Sequence, residues 1–258
     1  MKRSTFISCI LCTLLLAACS FRAPEGRADN GVDIIPGLEI PSFADNEDIV
    51  THLGYTASYN HSTLVPDWVA WELTAEEANG QLNYQYSFSR DPSVDYPKAS
   101  REDYSNTGWD KGHMAPRADM KWSAQALEES YYFTNICPQD HEMNSQAWEQ
   151  IERLSRRIAR RYGSVYIVCG PVFTEGRHGT IGKAKVHVPD MFFKALLTYT
   201  GKGYQAIGFI VKNQPECNQP ADYAVSVDSI EVLLGRDLFP QLPDGQAEAS
   251  YDWKYWTK

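Results

Sequence analysis

In the stretch Val65-Pro66-Asp67-Trp68-Val69-Ala70-Trp71-Glu72-Leu73, Val65, Val69, Trp71 and Leu73 share one strand face, which predicts a strand over residues 65–73. Thr74-Ala75-Glu76-Glu77 follows with capping-box spacing and predicts a short helical turn. Residues 91–110 are polar and punctuated by Pro92, Pro97, Asn106 and Gly108, so they read as a loop. Over residues 144–162, Ala147, Trp148, Ile151, Leu154, Ile158 and Tyr162 recur at helical spacing. Glu149, Glu152, Arg153, Arg156, Arg157 and Arg160 fall mostly on other faces, which predicts a long amphipathic helix ended by Gly163. Val165-Tyr166-Ile167-Val168-Cys169 is a nearly continuous apolar run, the mark of a central strand covered on both faces. Strands are also predicted over residues 186–188, 192–199 and 204–211, the last two joined by a hairpin turn at Gly201-Lys202-Gly203. Asp228-Ser229-Ile230-Glu231 opens a last helix that Gly235 closes. The sum is an α+β domain with helices packed on a largely antiparallel sheet.

The N-terminus follows another pattern. Lys2 and Arg3 precede an apolar stretch that ends in Leu16-Ala17-Ala18-Cys19, so residues 1–18 read as a secretory signal. The small residues before Cys19 resemble the lipobox of bacterial lipoproteins, which implies cleavage there and lipid on Cys19. Residues 19–50 are then the lipidated cysteine and a flexible tether, and residues 51–258 the folded domain. The expectation is an exported protein, lipid-anchored to the cell envelope at the outer membrane or in the periplasm.

The formal charge is −9, and removing the signal, which holds two bases and no acid, makes the rest more negative. A globally basic nucleic-acid binder is excluded, and any polyanion handled here must meet local positive charge or a metal ion. Of the 6 cysteines, Cys137, Cys169 and Cys217 remain for the folded body. Their spacing fits no zinc pattern; Cys169 reads as a buried strand residue, and pairing stays open.

The reactive side chains are densest in Asp110-Lys111-Gly112-His113-Met114-Ala115-Pro116-Arg117-Ala118-Asp119-Met120. Hydrolysing a phosphodiester needs a base to activate water, positive charge on the phosphate and help for the leaving oxygen. His113 suits the base if one ring nitrogen is free, with Asp110 or nearby chain orienting the ring. In a regular helix Asn144 lies on the apolar stripe through Trp148 and Ile151, where a carboxamide wants a polar partner. Glu152 would sit about 12 Å further along the axis and about 80° around it.

Together these residues resemble the DNA/RNA non-specific endonucleases of the ββα-metal superfamily. The likeness rests on Asp-Lys-Gly-His-Met-Ala-Pro at 110–116, Tyr-Phe-Thr-Asn-Ile-Cys-Pro-Gln at 132–139, and Asn-Ser-Gln-Ala-Trp at 144–148 with Glu152. It extends over residues 54–243. The resemblance implies a ββα-metal fold and one divalent cation, usually Mg2+, held by Asn144, with Mn2+ or another divalent ion as the alternative. It further implies His113 as general base, Glu152 ordering metal-bound water, Asn135 as a support beside the base, and Arg156 facing a phosphate. Lys111 stands where the family usually has arginine and keeps charge without the planar fork. With Phe88 setting the register, Tyr86 holds a second usual arginine position, which leaves either Arg90 as the substitute or a poorer stabilisation of the transition state. Arg90 and Arg117 are the candidate substrate-binding residues.

The implied activity is sequence-non-specific hydrolysis of DNA and RNA, with an inhibitory partner protein left undetermined. The rival readings are a non-catalytic nucleic-acid-binding surface lipoprotein with the same fold, and a hydrolase of another phosphodiester. Single residues also have ordinary explanations. Asn144 fits a helix cap, Glu152 and Arg156 a solvated i,i+4 pair, Lys111 and Arg117 loop charges, Gly112 a turn, Asp119 a turn or cap, and His52, His61, His141, His178 and His187 structural hydrogen bonds.

Overall fold

The structure is a computed structural model of the chain, and it describes residues 35–174, 177–242 and 247–257. The folded body begins at Gly37. Its first strands are β1 (Asp48–Thr51), β2 (Thr56–Asn60) and β3 (Val65–Thr74). After a long loop come β4 (Asp110–His113), α1 (Ala124–Glu129) and β5 (Ile136–Gln139). One continuous helical segment follows, made of α2 (His141–Met143), a π-helical turn (Asn144–Trp148) and α3 (Glu149–Tyr162). The remaining elements are β6 (Ser164–Val172), β7 (Thr180–Ile181), β8 (Val186–His187), β9 (Met191–Tyr199), β10 (Tyr204–Lys212), β11 (Ala224–Val225) and α4 (Val227–Leu234).

Seven strands form one sheet in the order β1-β2-β3-β6-β9-β10-β11, with every neighbouring pair antiparallel. β6 lies mid-sheet, as its uninterrupted apolar run requires. Its register carries one layer of side chains across four strands, Val69, Cys169, Lys194 and Phe209. These point to the face on which α3 packs, together with Trp71, Ile167, Phe192 and Leu196. Gly208 points the other way, where Ile230 of α4 lies against it, so the sheet is covered on both faces. β4 and β5 form a separate two-stranded ribbon beside the start of the helical segment.

Most of the predicted elements are present, and Cys169 is a fully buried strand residue. Thr74 and Glu77 exchange the reciprocal bonds of a capping box, with Glu77 N–H donating to Thr74 Oγ1 and Glu77 Oε2 accepting from Thr74 N–H. The last helix is capped by Ser226, two residues before the predicted opening, and closed by Gly235 at a left-handed φ of 64°. Cys137, Cys169 and Cys217 are all free thiols.

Two expectations are corrected. The tether does not extend over residues 19–50. Leu38 is fully buried, Glu47 accepts bonds from Ser58 and Trp68 and pairs with Arg236 at 2.9 Å, and β1 is an edge strand of the sheet. Polar composition hid this, because the segment attaches through hydrogen bonds to distant residues. The helix over residues 144–162 is also not regular, since its first turn is π-helical. The signal at residues 1–18 and Cys19 lie outside the described residues. Among the described residues no helix is long and apolar enough to cross a membrane.

Candidate active site

The ribbon and the helical segment bring the reactive motif together. β4 pairs with β5 so that Gly112 faces Cys137 and His113 faces Ile136. Gly112 is required here by close approach rather than by a turn: a Cβ would lie 1.8 Å from Gln139 Oε1. At the far end of β4, Asp110 Oδ2 accepts from Asn144 Nδ2 at 3.0 Å, the polar partner that the apolar stripe around Asn144 demanded. The same oxygen lies 2.9 Å from His141 Nδ1. At the near end, Trp148 Nε1 donates to the carbonyl of His113 at 3.3 Å, so one π turn ties both ends of β4 to the helix. Such turns cluster at functional sites.

His113 is enclosed by aromatics. Tyr131 meets it edge-on at 5.3 Å and Phe88 lies at 5.4 Å. Its Nε2 is sealed from solvent and makes no hydrogen bond. Burial and the nearby charge of Arg117 push its pKa down to about 4, so the imidazole is neutral across ordinary pH. Asp110 does not orient this ring; it bonds His141 and Asn144 instead. Asn135 is buried and clamps the chain just past the histidine. Its Oδ1 accepts from Ala115 N–H at 2.8 Å, and its Nδ2 donates to the carbonyls of Ala115 and Ser130 at 2.8 and 2.9 Å. Lys111 Nζ lies 5.6 Å from the centre of the Phe88 ring, on the same phenyl that borders His113.

A buried charge cluster lies beneath α3. Arg156 pairs with Asp119 at 2.7 Å, not with Glu152, and Asp119 is fully buried. Burial raises Asp119 even against that arginine. Burial raises Glu152 to about 7, opposed by the positive charges of Lys194 and Arg156. Lys194 is itself fully buried, with Nζ unpartnered by hydrogen bonds and 4.4 Å from the Trp148 ring centre, 5.3 Å from that of Trp71.

His113, Lys111, Asn135, Asn144, Glu152 and Arg156 thus gather around β4 and the helical segment. Arg117 is nearby but bonds Asn83 and the carbonyl of Tyr84. Arg90 is exposed and lies 5.9 Å from the centre of the Tyr96 ring, with no bond to the cluster. The readings of Glu152 with Arg156 as a surface pair, and of Asp119 as a turn or cap residue, do not hold. His141, read from sequence as a structural hydrogen-bonder, bonds Asp110 and so joins the site, and Lys194, which sequence reasoning missed, supports it from below. For Lys194 the signal was present, a lone cation inside the apolar strand Met-Phe-Phe-Lys-Ala-Leu-Leu.

The DNA/RNA non-specific endonuclease family model matches residues 38–245. The chain belongs to that family of enzymes. Within it, the chain is 33% identical over 211 residues to the zebrafish (Danio rerio) protein named "Nuclease EXOG, mitochondrial", covering 76% of this chain and 62% of that one. It is 32% identical over 233 residues to bovine (Bos taurus) "Endonuclease G, mitochondrial", covering 85% and 77%. The chain therefore spans less than two thirds of the length of the first of these relatives. Among solved structures, it matches one chain of an EndoG/EndoGI complex described as showing the mechanism of EndoG inhibition. The TM-score is 0.72 and the identity 26%, over 77% of this chain and 88% of that one. The match supports the ββα-metal family fold. The family model starts at 38, in agreement with a folded body that begins at Gly37.

The site suits a hydrated, hard cation. The Asp110 bond uses the amide nitrogen of Asn144 and leaves its oxygen as a donor atom. Among the described residues, these side chains do not close into a cage of three His, Cys, Asp or Glu ligands. An ion held there would keep much of its water, as Mg2+ prefers.

Proposed function

We propose that the chain is a metal-dependent endonuclease that hydrolyses phosphodiester bonds of DNA and RNA with little sequence preference. His113 takes the proton of the attacking water. The observation that carries this reading is a histidine kept neutral by its aromatic enclosure, tied through β4 and Trp148 to the turn that bears Asn144. A general base must be unprotonated at working pH, and the enclosure that keeps His113 neutral supports that role. Asn135 holds the backbone behind the base, while Lys111 and Arg156 supply the positive charge that a net-acidic protein needs near a phosphate. Mg2+ would be held through Asn144, with Glu152 as the residue that would order its waters, and when bound it would supply charge for the phosphate oxygens and the leaving group.

The assay is plasmid cleavage by the purified chain. Cleavage in Mg2+ or Mn2+ that stops on chelation supports the reading, and intact plasmid under every divalent ion overturns it. Chelator-resistant cleavage overturns the metal requirement.

Export and lipid attachment at Cys19 belong to the same proposal, supported by the leader pattern. Labelled palmitate should enter the wild-type chain in bacteria and be absent from Cys19→Ala. Label in both chains, or in neither, overturns it.

A further inference from the structure

A second acidic site lies on the other face of the sheet. Glu231 in the last turn of α4, Asp237 in the turn that follows, and Glu248 in the C-terminal segment bring three carboxylates together. One oxygen from each lies within 4.8 Å of the others. Each is positioned by backbone. Glu231 Oε1 accepts from Leu238 N–H at 2.8 Å, Asp237 Oδ1 accepts from Phe239 N–H at 3.1 Å, and the Glu248 carbonyl accepts from Asp228 N–H at 3.2 Å.

Glu248 is the second, independent observation. It is 6% exposed, and its Oε1 is sealed from solvent without a hydrogen-bond partner. Among the described residues, no lysine, arginine or histidine forms an ion pair with any of the three. Arg236, adjacent in sequence, sends its guanidinium to Glu47 and the Ser42 carbonyl. Burial, the charges of Glu231, Asp237 and Asp228, and a side-chain hydrogen bond with Glu231 push Glu248 up to about 8, while its Oε1 stays without a partner. A buried carboxylate oxygen without a partner is costly, and a cation or a proton must offset that cost.

We propose that Glu231, Asp237 and Glu248 hold a divalent cation, specifically Ca2+, as a structural site separate from the active site. The donors are all hard oxygens and come from three chain segments, which suits the flexible coordination of calcium better than the strict octahedron of magnesium. The ion would fasten the C-terminal segment to the end of α4, so its binding energy becomes folding stability.

The test uses the full chain stripped of divalent ions, with thermal unfolding and calcium titration calorimetry. One millimolar Ca2+ should raise Tm by roughly 3 to 6 °C in the wild type. The rise should persist in Asn144→Ala, which removes the active-site ligand, and vanish in Glu248→Gln and Asp237→Asn. Asp237 is exposed, so its variant keeps the test decisive if Glu248→Gln fails to fold. An absent rise in the wild type, equal rises in the carboxylate variants, or an equal rise with Mg2+ overturns the proposal. A wild type indifferent to calcium whose Glu248→Gln variant is more stable without metal also overturns it, because the three carboxylates then share a proton. Plasmid cleavage is a separate readout, so failure here leaves the nuclease reading standing.

Discussion

The two ends of β4 are four residues long in total yet have opposite environments. At one end Asp110 meets His141 and Asn144 in the open, and the carboxylate raises the pKa of His141. At the other, His113 sits between Phe88 and Tyr131 with one nitrogen sealed, and burial lowers its pKa to about 4. The same imidazole is thus made a cation-favouring group at the wet end and a neutral one at the dry end. Environment, rather than residue type, assigns the roles.

Exchanging the histidines for alanine one at a time breaks the comparison most sharply. His113→Ala should lower kcat/KM by about 10²- to 10⁴-fold on a fluorogenic oligonucleotide, the range of a lost general base. The dry end also depends on its clamp. Asn135→Ala leaves the Ala115 N–H and two carbonyls unsatisfied and should cost about 3 kcal/mol, read as a lower urea midpoint at unchanged m.

Acid sharpens the contrast further. A histidine whose folded pKa lies below 6.5 binds fewer protons in the folded state, so its contribution to stability is lost as pH falls from 6.5 towards about 4. The expected loss from His113 at pH 5 is about 2 kcal/mol, and urea titrations at pH 7 and 5 should show it in the wild type but not in His113→Gln. By NMR, the His113 ring signals should stay in the neutral position at pH 5 while those of His141 have moved. The smallest effect belongs to the wet end. His141→Ala removes an exposed pair and should change kcat/KM by no more than about fivefold, since Asn144 keeps its bond to Asp110.

The sheet was legible because its strands are local. The apolar run around Val168 and the alternation around Trp71 each mark a strand without reference to other segments, and the hairpin glycines mark the turn. The order of motifs brought His113, Asn135, Asn144, Glu152 and Arg156 forward as candidates, and the fold gathers them around β4 and the helical segment. Partnerships were less legible. Arg156 lies one helical turn from Glu152 yet bonds Asp119, 37 residues away. His141 looks like any surface histidine until β4 brings Asp110 beside it. Residues 38–48 are polar and breaker-rich and read as tether, because attachment through Glu47 leaves no periodic trace.

The π turn between α2 and α3 makes the count of residues in this helix as consequential as their identity. Each α-helical residue advances the chain by about 100°, so deleting one of Ser145, Gln146 or Ala147 would restore a regular helix and swing one side of the break about 100° against the other. Either Asn144 would lose Asp110, or Arg156 and Glu152 would turn out from beneath the helix. Cleavage should then be lost although His113, Asn144, Glu152 and Arg156 are all still present in the chain.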